Sequence, residues 1–197
     1  MTRRSITATA THPRTGNAFT RWLGRVMLAL LGWRIVGKIP DVPKAVLVGA
    51  PHTTNWDLPL AIAMRFATGL RYSWMMKKEA FRGPFGSLWR ALGGIPVNRE
   101  AAKGMAGQMA DWFASQDRAF LGVTPEGTRS RVDRWKTGYL RIARAADVPV
   151  LVVGVDGPNR EVRFDRLFPL TDDIEADNTA IRDYVRSKFT GWRAENG

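Results

Sequence analysis

Cysteine is absent from the 197 residues, and histidine occurs only twice, at His12 and His52. The first absence excludes a disulfide framework, a thiolate nucleophile and a cysteine-bound metal, and it fits a reducing compartment. The second nearly excludes a multi-histidine zinc centre. No apolar run approaches the ~20 residues that a membrane span needs. The longest, Val26 to Trp33, is closed off by Arg25 and Arg34. A secretory signal is not expected either, because the start of the chain is Thr- and Arg-rich and no small-residue cleavage site follows its short apolar stretch. There is no GxSxG, no GxxxxGK[ST] and no GxGxxG, so a hydrolase elbow, a P-loop and a dinucleotide fingerprint are not expected. Acidic residues are scarce as well, 18 against 30 Lys and Arg, which leaves a formal net charge of +12.

What remains is globular. A mass of 22.0 kDa, with 45% hydrophobic and 24% charged residues, suits one domain with its own core. The positive balance favours anionic partners such as membrane lipid, nucleic acid or phosphorylated substrates. It is unevenly spread. Met1 to Pro40 carries Arg3, Arg4, Arg14, Arg21, Arg25, Arg34 and Lys38 and no acid.

Residues 1–18 read as a flexible basic tail. Phe19 to Val36 reads as a helix, with Phe19, Trp22, Leu23, Val26, Met27, Leu30 and Leu31 recurring at three- and four-residue steps. Arg21 and Arg25 share another face. The segment 19–38 therefore fits either an amphipathic helix in a membrane interface or a core-docking helix with a solvated basic face. From residue 39 onward, apolar runs and helical spacings alternate. Ala45 to Ala50, Tyr72 to Met76, Ile95 to Val97, Ala119 to Val123 and Val148 to Val155 read as strands, and Glu161 to Leu167 reads as an edge strand. Thr54 to Thr68, Phe81 to Leu92, Met105 to Ser115, Gly138 to Ala146 and Ile174 to Phe189 read as helices. The expected fold is a single α/β domain over 39–197, a mostly parallel sheet flanked by helices.

Ligand sites in such folds gather at the carboxyl ends of the strands. Pro51 to Asp57 follows the first apolar strand directly. His52 can take a proton from an alcohol near neutral pH, and a carboxylate on its other nitrogen would fix the tautomer. On one continuous helix, five residues would set the side chains of His52 and Asp57 about 140° apart. If the helix starts after His52, Asp57 sits in the first turn and can point back. Thr54 and Asp57 also match an ordinary N-terminal capping box.

Pro125 to Arg129 follows another strand. Gly127 permits a tight turn, while Thr128 and Arg129 can bind an anion, the guanidinium as a planar fork. A surface turn with a weak Glu126–Arg129 pair is the plainer reading. Arg99 closes Gly93 to Arg99, and Lys77 closes the Tyr72 to Met76 strand. In a parallel sheet these ends converge. An acid–base pair among phosphate-binding cations suits acyl or phosphoryl transfer on a phosphorylated alcohol. A metal held by His52, Asp57 and Glu126 lacks a recognisable ligand spacing.

In order and spacing, HTTNWD (52–57), GGIPVNR (93–99), PEGTR (125–129) and VPVLVV (148–153) resemble the four blocks of the glycerolipid acyltransferase family. That family includes the bacterial 1-acylglycerol-3-phosphate acyltransferases. The resemblance runs from about Ile39 to Leu167. It departs from the family pattern at Pro96, where an aromatic is usual, and at Val152, where a second proline is usual. It implies that His52 is the general base on the acceptor hydroxyl and that Asp57 orients it. It implies that Arg99, Glu126, Gly127, Thr128 and Arg129 hold the acceptor, chiefly its phosphate, and Lys77 joins them as a strand-end cation. The Pro149 region would shape the acyl-donor pocket. No metal, cofactor or covalent intermediate is implied, because the hydroxyl attacks the thioester of acyl-CoA or acyl carrier protein directly. The expected partners are a lysophospholipid acceptor, the acyl donor and an anionic membrane surface. The expected location is peripheral, on the cytoplasmic face of the inner or plasma membrane. Another lipid-linked alcohol is an alternative acceptor. From a different class, a basic nucleic-acid- or lipid-binding module without catalysis is the rival. Nucleic acid is not expected, because no nucleic-acid motif is present and the tryptophans lie mostly in apolar contexts.

Overall fold

The apolar runs become the middle of a seven-stranded sheet. The structure is a computed structural model that describes residues 6–98, 100, 101 and 103–193. Its strands are β1 (Arg34–Gly37), β2 (Lys44–Ala50), β3 (Ser73–Lys77), β4 (Gly94–Val97), β5 (Ala119–Val123), β6 (Val150–Asp156) and β7 (Glu161–Phe168). Its helices are α1 (Ala18–Leu31), α2 (Asp57–Thr68), α3 (Gly86–Leu92), α4 (Gly104–Ala114), α5 (Gly138–Ala145) and α6 (Ile174–Lys188), with a 3-10 turn at Lys78–Phe81. The strand order is β1-β7-β6-β2-β5-β3-β4. Every pairing is parallel except β6 with β7. The expected α/β domain with a mostly parallel sheet is the observed one.

Apolar residues on both faces of β2 and β6 explain why those strands sit centrally. Ala45 and Leu47 point to a core shared with α1 and α2, and Val46, Val48 and Ala50 point to one shared with α4, α5 and α6. The sheet is thus sandwiched between two helical layers. Register places Ala50 beside Gly154, Val48 beside Val123, Trp74 beside Gly122 and Lys77 beside Val97. The segments following β2, β3, β4 and β5 therefore leave the sheet at nearly one height.

Three local expectations are corrected. The first helix does not run to Val36. Gly32 adopts a left-handed conformation (φ 72°) and ends it at Leu31, and Arg34–Gly37 forms β1 instead. Consequently β7 is not an edge strand, because β1 covers it. The segment before Asn17 is not loose over its described part. Ala8 N–H donates to Thr68 O at 2.9 Å, Thr15 N–H to Gly69 O at 2.9 Å, and Arg71 N–H to Pro13 O at 2.8 Å. His12 is only 1% exposed. Its Nδ1 accepts from the Thr9 amide at 2.9 Å, so Nε2–H donates to Pro40 O at 2.8 Å.

Helix α1 also divides its apolar residues differently from a simple two-faced pattern. Leu28 is buried, and Met27 and Leu31 pack against the core beside α2. Phe19, Trp22 and Leu30 face solvent, Leu30 at 82% exposure. Gly24 is the point of closest approach to α2: a Cβ there would lie 2.2 Å from the Ala67 backbone nitrogen.

Candidate active site

β2 ends in a cis Ala50–Pro51 bond, and the chain then forms the loop that carries His52. Helix α2 starts at Asp57 itself, and Trp56 in the N-cap position makes no side-chain cap bond. The Asp57 carboxylate is therefore free to turn back over the loop. Its Oδ2 lies 2.8 Å from His52 Nδ1 and accepts from Thr53 N–H at 2.9 Å and Thr54 N–H at 3.1 Å. With both amides donating, Oδ2 is an acceptor, so Nδ1 carries the proton. The Nε2 lone pair is thereby left to act as a base. Only half of a capping box with Thr54 forms: the Asp57 carboxylate accepts from Thr54 N–H, but the Thr54 hydroxyl does not accept from Asp57 N–H. Instead, Thr54 Oγ1 accepts from Trp56 N–H at 3.4 Å.

Glu126, in the turn that follows β5, reaches the same loop. It is 9% exposed. Both its carboxylate oxygens accept from His52 N–H, at 3.2 Å each. Burial raises its pKa from 4.5 to about 7, partly offset by that hydrogen bond. Its place is thus beneath His52, holding the loop to β5. Gly127 makes the next turn with φ 66°. Arg129 Nη1 donates to Asn55 Oδ1, which ties the second loop to the first. Thr128 is exposed, and its hydroxyl accepts from Ser130 N–H at 3.4 Å.

Lys77 lies farther out. Lys77 is exposed at the end of β3, which is two strands from β2, or about 10 Å at ordinary strand spacing. Arg99 lies outside the described residues. Its neighbour Asn98 is gripped by Gln108 of α4, which accepts from Asn98 N–H at 3.1 Å and donates to Asn98 O at 2.7 Å. Pro149 O accepts from Val46 N–H at 3.0 Å and so joins β6 to β2. Among the described residues, no three His, Asp or Glu side chains gather so as to hold a metal ion.

His52 and Asp57 stand at the mouth of an apolar cleft of about 540 Å³ between α2 and the sheet. Leu58, Ala61, Trp74, Met75, Val97 and Met105 are among its walls. Gly49 and Gly122 form part of its floor. A Cβ on Gly49 would meet nothing within 4 Å, so the missing side chain is open space. A smaller recess of about 110 Å³ continues from His52 past Leu60, Val155 and Val162.

A family model described as Acyltransferase matches residues 34–156, well over half the chain. The chain belongs to the acyltransferase family. The sequence-based identification of an acyltransferase therefore holds, and the matched span carries the His52, Asp57 and Glu126 loops of this acyltransferase. The fold is also similar to the crystal structure of the 1-acyl-sn-glycerophosphate (LPA) acyltransferase PlsC from Thermotoga maritima. The TM-score is 0.63 at 19% identity, covering 86% of this chain and 76% of that one. No curated protein matches the sequence of this acyltransferase.

Sequence reasoning missed two parts of the site. Glu126 accepts from the His52 main-chain N–H, and a contact to a main-chain N–H leaves no mark in a motif. Gln108 was also missed. It sits in a helical window with nothing but its polarity to single it out.

Proposed function

We propose that the chain moves a fatty acyl group from a thioester, acyl-CoA or acyl carrier protein, to the hydroxyl of a lysophospholipid such as 1-acylglycerol-3-phosphate. The observation that carries this reading is the His52–Asp57 pair, 2.8 Å apart at the mouth of an apolar cleft. Asp57 keeps the proton on Nδ1. Nε2 removes the hydroxyl proton as the oxygen attacks the thioester carbonyl. The tetrahedral intermediate then collapses, the C–S bond breaks, and the thiolate takes the proton from the imidazolium. The cleft holds the acyl chain, each buried methylene contributing about 0.8 kcal/mol. Arg129, with Arg99 and Lys77, supplies positive charge for the acceptor phosphate.

The test is transfer to radiolabelled lysophosphatidic acid, with each donor class offered separately. Product from one donor supports the reading. No product from either donor, with other lysolipids and lipid-linked alcohols also refused, would overturn it. Gly49→Val adds a Cβ and two methyls to open space and so shortens the cleft. It is expected to depress transfer of long acyl chains relative to short ones. An unchanged chain-length profile would argue that the chain lies elsewhere.

The same reading places the protein peripherally on an anionic membrane, at the cytoplasmic face. No helix among the described residues is long and apolar enough to cross a membrane. Phe19, Trp22 and Leu30 on α1 are exposed, and arginine charge near an anionic surface contributes about 1 kcal/mol per residue. Deleting Met1 to Val36 would also remove buried Leu28 and Trp33, so surface variants make the cleaner test. The triple variant Phe19→Ser, Trp22→Ser, Leu30→Ser is expected to lose co-sedimentation with vesicles containing phosphatidylserine. Undiminished binding by a folded triple variant would remove α1 from the docking surface.

A further inference from the structure

After α6, Phe189 enters the core, where its ring presses on β6: a Cβ on Gly154 would lie 2.3 Å from ring atoms. The chain then runs along the end of β6. Gly191 N–H donates to Val155 O at 2.9 Å, and Gly191 pairs with Asp156 in a parallel bridge. Gly191 has φ +74°, and a Cβ on it would lie 2.4 Å from Thr53 Cγ2. Arg193 N–H donates to Thr53 Oγ1 at 3.1 Å. The Trp192 ring lies 4.6 Å from that of Trp33 and 6.4 Å from that of Trp56.

These contacts converge on one loop. Thr53 and Trp56 lie inside the 52–57 segment, and Thr53 N–H donates to the same Asp57 oxygen that meets His52 Nδ1. We propose that Gly191–Arg193 is a strap that sets the catalytic loop, with Trp192 and Thr53 as positioning residues. Neither reacts. Thr53 anchors the loop backbone through its hydroxyl, and Trp192 stacks between the loop tryptophan and Trp33. Loosening the strap lets Thr53 drift from Asp57, and the imidazole loses its fixed orientation. The inference rests on the acyl-transfer reading only for its turnover readout.

The test uses the full chain with Trp192→Ala, Trp192→Phe and Thr53→Val. Trp192→Ala is expected to lower kcat by about tenfold to a hundredfold, the scale of a small misplacement, with both KM values within about twofold. Trp192→Phe, which keeps an aromatic face, should recover most of the loss, and Thr53→Val should reproduce part of it. Nitrogen-15 NMR of the two imidazoles gives a readout independent of turnover. In the wild type the His52 proton sits on Nδ1, and in Trp192→Ala and Thr53→Val it should redistribute towards Nε2. His12, with its Nδ1 accepting from Thr9, is the internal reference. Unchanged kcat, a loss confined to KM, or lowered kcat with the His52 tautomer intact would each overturn the strap. If Trp192→Ala does not fold, Thr53→Val, which keeps the shape of threonine, decides. If no substrate is turned over by the wild type, the acyl-transfer reading falls and the tautomer comparison alone decides this one.

Discussion

Replacing His52 by alanine is expected to lower turnover by about 10² to 10⁴-fold, the usual contribution of a positioned general base. The fold should survive. The side chain is 25% exposed at the cleft mouth, and Asp57 Oδ2 keeps its two amide donors, Thr53 and Thr54. The backbone N–H that Glu126 accepts from is also retained in the variant. Initial rates beside a thermal melt check both halves. Turnover within a few-fold of wild type would remove His52 from the chemistry, whatever its place in the cleft. A collapsed melting transition would instead show that the imidazole is needed for the loop itself.

The second large effect is on stability, through Glu126. Burial lifts its pKa from 4.5 in the ordinary state to about 7 in the folded chain. An acid with a raised folded pKa keeps a proton that the unfolded chain has already released. Stability therefore falls as pH rises between those values and is lowest, as far as this group is concerned, above pH 7. The full span is on the order of 3 kcal/mol. Glu126→Gln removes the titration while leaving a carbonyl oxygen to accept from His52 N–H. Urea unfolding should show the variant close to wild type at pH 5 and more stable than wild type at pH 8. Parallel pH profiles for the two proteins would refute the burial argument. Glu126→Ala should behave differently, because it leaves the part-buried His52 N–H without this acceptor at a cost of about 1 kcal/mol at every pH.

The central strands were legible because burial on both faces leaves unbroken apolar runs, as in Ala45–Ala50 and Val150–Val155. Strand β1 was not. Arg34 to Gly37 continues the helical spacing that runs through Leu30 and Leu31, and only the left-handed turn at Gly32 separates the two. The docked segment before α1 hid behind polar composition, since backbone hydrogen bonds and one buried imidazole hold it. At the site, His52 and Asp57 could be read from spacing and from their place after a strand. Their flanking supports could not, because Glu126 meets a main-chain N–H and Thr53 meets the Arg193 N–H from 140 residues away. Main-chain partners carry no residue identity. The cations were legible as strand-end charges, but β3 lies two strands from β2, a separation that follows from strand order and not from any motif.

The pairing of β1 with β7 sets an order of events during synthesis. Arg34 sits beside Glu161, and its guanidinium meets that carboxylate at 2.6 Å, yet 127 residues separate them. At ribosomal speeds of about 5–20 residues per second, β1 waits on the order of ten seconds for its partner. The central β2 is also incomplete until β5 and β6 have emerged on either side of it. Through that interval α1 trails an unpaired strand, with its inward apolar side lacking the finished sheet. Long-range closure of this kind is slow and leaves nascent chains open to misassociation. Among the described strands, the first to be made is thus among the last to be placed.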